Sequence, residues 1–222
     1  MADKSEYPGL LIAIDGSRGN DTAAAAAAVI DALKDARIEC AVSRFDASGL
    51  FGELAAAARG DRQISTRTLA LVYAADLAFR LRWEIRPVLE AGGVVIASPY
   101  VETAMAFGVA CGLGEEWIRE LLRFAPKPDL RARAEERKIN KGWKPRLDRG
   151  YAEYCAAMLE GASPKVASKA ARREAVALLN RPRGRKVFRL SEKGVGALVK
   201  AATDNRRAAS SRSASKPRSA RK

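Results

Sequence analysis

LLIAIDGSRGNDTAAAAAAVIDAL, residues 10–33, decides how the rest of the chain is read. Leu10 to Ile14 is a continuous apolar run, the pattern of a short strand buried on both faces, as in a parallel sheet. Asp15-Gly-Ser-Arg-Gly-Asn-Asp-Thr22 follows, a turn rich in glycine and small polar residues that ends in good helix N-cap types. Ala23 to Leu33 is alanine-rich and strongly helix-forming. Strand, glycine loop and helix together make a phosphate-binding architecture, because loop amides point inward and the helix N-terminus adds positive potential. A working loop of this kind reads G-x-x-x-x-G-K-[ST]. Here the eight positions are Gly16, Ser17, Arg18, Gly19, Asn20, Asp21, Thr22 and Ala23. The first glycine is kept. Asp21 stands at the second glycine, Thr22 at the lysine and Ala23 at the Mg²⁺-binding hydroxyl. Gly16, Ser17, Arg18, Gly19, Asn20, Asp21 and Thr22 are the candidate phosphate-binding residues.

Outward from this stretch, apolar runs alternate with helical segments. Ile38–Ser43 reads as a second strand and Ser48–Ala58 as a short helix. Ser65–Glu90 reads as one long helix, closed by Ala91-Gly-Gly93. Val94–Ala97 reads as a third strand, and Thr103–Cys111 and Glu115–Phe124 as helices. Residues 130–149 are densely charged, and Arg131–Arg137 reads as helix. Tyr151–Leu159 and Pro164–Leu179 follow as helices and Lys186–Leu190 as a last strand. Ser191 caps a final helix to about Ala202. The alternation predicts a three-layer α/β fold with a parallel sheet. Leu10–Ile14, Ile38–Ser43 and Val94–Ala97 should be neighbouring central strands, with Lys186–Leu190 in the same sheet. The expected organisation is one domain over 1–203 and a basic tail over 204–222, too poor in apolar residues to fold.

The chain has 222 residues, 48% of them hydrophobic and 30% charged, enough for one α/β domain with a core. There is no histidine, which excludes Ser-His and Cys-His nucleophile systems and His-ligated metals. Cys40, Cys111 and Cys155 are scattered without metal spacing, so no metal site is expected, and the thiols suit a reducing compartment. No apolar run reaches the ~20 residues needed to span a bilayer. The run from Leu10 to Ile14 is too short for a signal-peptide core. The expectation is a cytoplasmic protein that does not engage membranes. Formal net charge is +14, unevenly spread. Residues 1–120 hold 12 basic and 17 acidic side chains, residues 121–222 hold 28 and 9. A polyanion such as nucleic acid would therefore meet residues 131–222.

Further motifs follow in order behind the glycine loop. They are Leu71-Val-Tyr-Ala-Ala-Asp76, Ile85-Arg-Pro-Val-Leu-Glu-Ala-Gly-Gly-Val-Val-Ile96, Pro99-Tyr100 and Pro128-Asp-Leu130, with Glu116-Trp117-Ile-Arg-Glu-Leu121 as a tryptophan-bearing helix. Over Gly9 to Leu130 the chain resembles the thymidylate kinase family. That family has an "LLFAADR" helix, an "I-x-PAL-x-x-G-x-x-VI-x-DR-Y/F" stretch and a later "PDL". The resemblance implies a P-loop kinase-like fold, dTMP and ATP-like nucleotides as ligands, ATP and Mg²⁺ as cofactors if activity is retained, and a homodimer. Carried over position by position, the loop lysine is Thr22. The "DR" pair, for metal and substrate phosphate, is Ser98 and Pro99, and the arginine of "AADR" is Leu77. The "RE/DP" segment matches Arg44-Phe45-Asp46. Tyr73 matches an aromatic that stacks on thymine, though a core tyrosine on an apolar helix reads the same way. Arg44, Tyr73, Asp76, Ser98 and Tyr100 are the substrate-pocket candidates, and no catalytic residue is assigned. The family's strand after "PDL" is not seen in the sequence.

Phosphoryl transfer rests on positioning and charge stabilisation. Removing one such donor costs about 3–4 kcal/mol of barrier, and here several are replaced. Three readings follow. The first is a pseudoenzyme with residual nucleotide binding. The second is a divergent active nucleotide or nucleoside kinase in which Arg18 substitutes for the lysine. The third is a nucleic-acid-binding or assembly protein that uses its basic half. For the third, Ser163 to Gly194 also resembles the recognition helix, wing and final helix of winged-helix domains.

Overall fold

A computed structural model describes residues 6–16, 19–51, 53, 65–134, 166–180 and 186–214. Five strands form one sheet: β1 (Leu10–Asp15), β2 (Cys40–Arg44), β3 (Val94–Ser98), β4 (Leu130–Arg133) and β5 (Val187–Arg189). Their order is β2-β3-β1-β4-β5, and every pairing is parallel. The helices are α1 (Gly19–Asp35), α2 (Thr66–Arg80), α3 (Arg86–Glu90), α4 (Val101–Ala110), α5 (Glu115–Leu121), α6 (Val166–Leu179) and α7 (Glu192–Ala214). Leu50, Phe51 and Glu53 are helical too. The rest of the expected 48–58 helix and the expected Tyr151–Leu159 helix lie outside the described residues.

A central parallel strand must be apolar on both faces, because helices cover each side. All six residues of β1 are buried. Side chains alternate along a strand. Leu10, Ile12 and Ile14 accordingly join one core, with Val29 and Leu33 of α1 and Leu198 and Ala202 of α7. Leu11 and Ala13 face the other core, with Tyr73, Leu77, Phe107 and Leu178 from α2, α4 and α6. The three-layer α/β expectation holds. β3 lies between β1 and β2, so β2 is an edge strand rather than a central one.

The long helix predicted over 65–90 is continuous but changes pitch. A π-helical turn, Leu81–Ile85, joins α2 to α3. Pro87 supplies the reason, since proline lacks the N–H for an i→i−4 bond and its ring clashes with that carbonyl. The Arg86 amide instead reaches back five residues to Leu81 O.

Two expectations need correction. Residues 131–133, expected as helix, belong to strand β4, which pairs with β1 and β5. Its inward-facing positions carry Arg131 and Arg133, so the apolar strand pattern was absent. α7 does not stop near Ala202. It runs through position 203 to Ala214, so residues 204–214, expected to be unfolded, are helical. β5 pairs parallel with β4 as a sheet strand, which is not the arrangement of a winged-helix wing.

Candidate phosphate site and the adjoining cavity

β1 ends at Asp15, and α1 begins at Gly19. The phosphate-site architecture is therefore present at the carboxyl end of a central strand, the position where open α/β sheets bind ligands. Asp15 is buried, and its Oδ1 accepts three hydrogen bonds: from Tyr100 N (2.9 Å), Thr103 N (3.0 Å) and Thr103 Oγ1 (2.7 Å). Tyr100 is the N-cap of α4 and makes no side-chain cap of its own. Orphan amides at a helix N-terminus need an acceptor. A carboxylate from β1 provides it, and its charge suits the positive helix end.

The same threonine engages the loop. Gly16 N donates to Thr103 Oγ1 at 3.2 Å. Thr22 is buried, and a Cβ added at Gly16 would lie 2.7 Å from Thr22 Cγ2 and 3.1 Å from Ala134 Cβ. Glycine is therefore required at position 16 by close packing. The residue at the lysine position fills space beneath the loop. Gly19, Asn20 and Asp21 open α1. Ser17 and Arg18 lie outside the described residues.

The other candidates sit as follows. Tyr73 is buried, stacks on Phe45 with ring centroids 5.4 Å apart, and donates its hydroxyl to Tyr100 O at 2.7 Å. Tyr100 is buried and donates to Pro126 O at 2.9 Å. Burial pushes both phenols well above the usual tyrosine range. Asp76 is fully buried and holds the chain after β2: Oδ2 accepts from Asp46 N (3.1 Å), and Oδ1 from Ser48 N (3.0 Å) and Ser48 Oγ (2.9 Å). Asp46 has a φ of 62°, a left-handed conformation that aspartate tolerates better than most residues. Ser98 is buried at the end of β3, and Arg44 is exposed at the end of β2. Asp129 of the Pro128-Asp-Leu130 motif brackets β1. Its Oδ2 accepts from Leu11 N at 2.8 Å, and its amide donates to Leu11 O at 3.0 Å.

Sequence reasoning missed several residues here. Arg80 is fully buried, donating from Nε to Ser43 Oγ (2.8 Å) and from Nη2 to Ser43 O and Pro99 O (3.0 Å each). Its Nη1 lies 4.0 Å from Asp76 Oδ2, close enough for charge compensation but too far for a hydrogen bond. Thr103, Glu102, Arg131 and Arg133 were missed too. Glu102, in the first turn of α4, bridges two arginines of β4: Oε1 to Arg131 Nη1 (3.0 Å) and Oε2 to Arg133 Nη2 (2.7 Å). Beside this bridge a cavity of about 510 Å³ opens between α4, α5, the 125–128 segment and β4.

The parallel strand order, the helices on both faces and the β1–α1 loop define a three-layer α/β protein of P-loop kinase-like architecture. Comparison with known proteins narrows the relationship to thymidylate kinases. The chain is 43% identical to a probable thymidylate kinase of Pyrococcus abyssi over 68 residues, 31% of this chain and 33% of the relative. It is 46% identical to one of Thermococcus kodakarensis over the same length. It is 30% identical to probable thymidylate kinase 2 of Saccharolobus solfataricus over 122 residues, 55% of this chain and 57% of the relative. The chain thus matches between a third and just over half of these curated relatives' length. No family model matches it.

Proposed function

We propose that the chain is a thymidylate-kinase-like scaffold in which ATP-dependent phosphorylation of dTMP is lost or weak, with residual nucleotide binding. One observation carries this reading. The groups at the mouth of β1 bond one another: Asp15 caps α4, and the Gly16 amide donates to Thr103. Phosphoryl transfer needs donors preorganised toward the phosphate. Thr22 is buried and bears no charge, and Ala23 has no hydroxyl. These residues do not fit Mg²⁺–ATP held in the usual way, so no transfer step is derived through it. The substrate-pocket candidates Tyr73, Asp76, Ser98 and Tyr100 are buried, and the first two bind other parts of the chain through their side chains. The homodimer belongs to the same reading. α2 and the π turn expose Leu71, Phe79 and Trp83 as an apolar surface for a second copy.

The test is a coupled assay of ADP release with ATP, Mg²⁺ and dTMP. No turnover above background is expected. Robust turnover that Arg18→Ala abolishes would overturn the reading and establish a divergent active kinase.

A further inference from the structure

Arg131 and Arg133 stand on one face of β4, two residues apart, and share a single carboxylate. The triad is left with one uncompensated positive charge. Both side chains are largely buried, 22% and 11% exposed, with Glu102 at 18%. Arg131 Nε, Arg133 Nε and Arg133 Nη1 are buried and have no hydrogen-bond partner among the described residues. Buried donors are almost always satisfied, and a guanidinium can only donate. Three orphan nitrogens on adjacent arginines therefore call for an acceptor from outside the chain.

The cavity beside them can hold one. Arg131 and Glu102 line it, along with Lys127 and Arg119, while Met105 and Leu122 contribute apolar wall. Its volume of about 510 Å³ falls in the range of small-molecule sites, roughly 300–1,000 Å³. Two acidic wall residues are already compensated. Asp15 caps α4, and Glu115 pairs with Arg119 at 2.6 Å. Glu102 uses both oxygens on the arginines, leaving donors that a second planar carboxylate would serve poorly. A tetrahedral phosphoryl group presents three oxygens, and arginine is well suited to bind it.

We propose that this cavity is a binding site for a small phosphate monoester with an apolar body, held through Arg131 and Arg133, with Glu102 as the counter-ion that competes with it. The site is separate from the β1–α1 loop and does not depend on the function proposed above. At the matching strand positions a core-facing parallel strand would carry apolar residues, so two arginines there need a reason that packing does not supply.

The experiment uses the full chain and inorganic phosphate as probe, read by thermal shift and titration calorimetry against chloride at matched ionic strength. Phosphate should raise the melting temperature of the wild-type chain. Arg131→Met should weaken phosphate binding at least tenfold. Glu102→Gln removes the competing charge. It should lower the melting temperature without phosphate and strengthen phosphate binding about tenfold, so that phosphate restores stability. Arg18→Ala should leave phosphate binding unchanged. The proposal is overturned if Arg131→Met binds phosphate like wild type, or if phosphate fails to restore Glu102→Gln. It is equally overturned if Arg18→Ala alone abolishes binding, which would place the anion at the loop. Acetate binding as tight as phosphate would overturn the phosphoryl assignment.

Discussion

Arg80 holds a full positive charge where no solvent reaches it, and three protein oxygens accept from it. Removing one member of a buried charged network leaves the others unpaired, a loss of about 3–5 kcal/mol. Arg80→Met, close in length but uncharged, should destabilise the chain by about 3 kcal/mol, measured as a lower urea midpoint at unchanged slope. Burial pushes the Cys111 thiol up to about 11, with nearby Glu174 adding to the shift. A thiol that ionises later in the folded chain than in the unfolded one contributes stability that is complete below about pH 9 and declines as pH rises toward 11. Cys111→Ala should flatten that alkaline decline in a pH series of urea melts. At this scale the sequence was only partly legible. The glycine loop and the motifs with it were found from local pattern. Arg131 and Arg133 were not understood, because their partner Glu102 lies 29 and 31 residues upstream and no local window joins them. Thr103 was missed for the same reason: Asp15 reaches it across 88 residues.

At the scale of elements, the strands read correctly were those with uninterrupted apolar runs, β1 and β3, in which every residue is buried. β4 was lost because half of its short length is arginine. α7 was cut short because serine and arginine beyond Asp204 looked like low complexity. Alanine and arginine there are nonetheless good helix formers, and the helix enters that stretch already nucleated. Its anchor is Leu198, wholly buried in the core that β1 shares with α1. Leu198→Ala should cost about 2–5 kcal/mol, whereas deleting residues 209–222 should leave the urea midpoint within about 0.5 kcal/mol. Far-ultraviolet circular dichroism of the deletion should still show less helix.

Across the whole molecule, charge and fold are divided unevenly. The basic excess of residues 121–222 includes Lys193, Lys200, Arg206 and Arg207 of α7. A helix with spaced cations should bind DNA or RNA weakly and without sequence preference. The affinity should fall with salt at a slope of about −0.9 per phosphate contact on duplex DNA. Removing residues 204–222 should reduce both affinity and slope in fluorescence anisotropy. Unchanged binding would move the contact to the 131–189 region. The position of β1 has a consequence for how the chain is made. Its partners are β3, beginning at Val94, and β4, beginning at Leu130, and β2 also pairs only with β3. On the ribosome, Leu10–Ile14 must therefore wait for more than 80 further residues to be translated before it has any strand to join. During that interval an apolar segment with high β-propensity is exposed, the kind of segment on which chaperones and aggregation compete. Nascent chains arrested before Val94 should consequently be protease-sensitive and bind hydrophobic dyes, with protection arriving abruptly once β3 has left the exit tunnel.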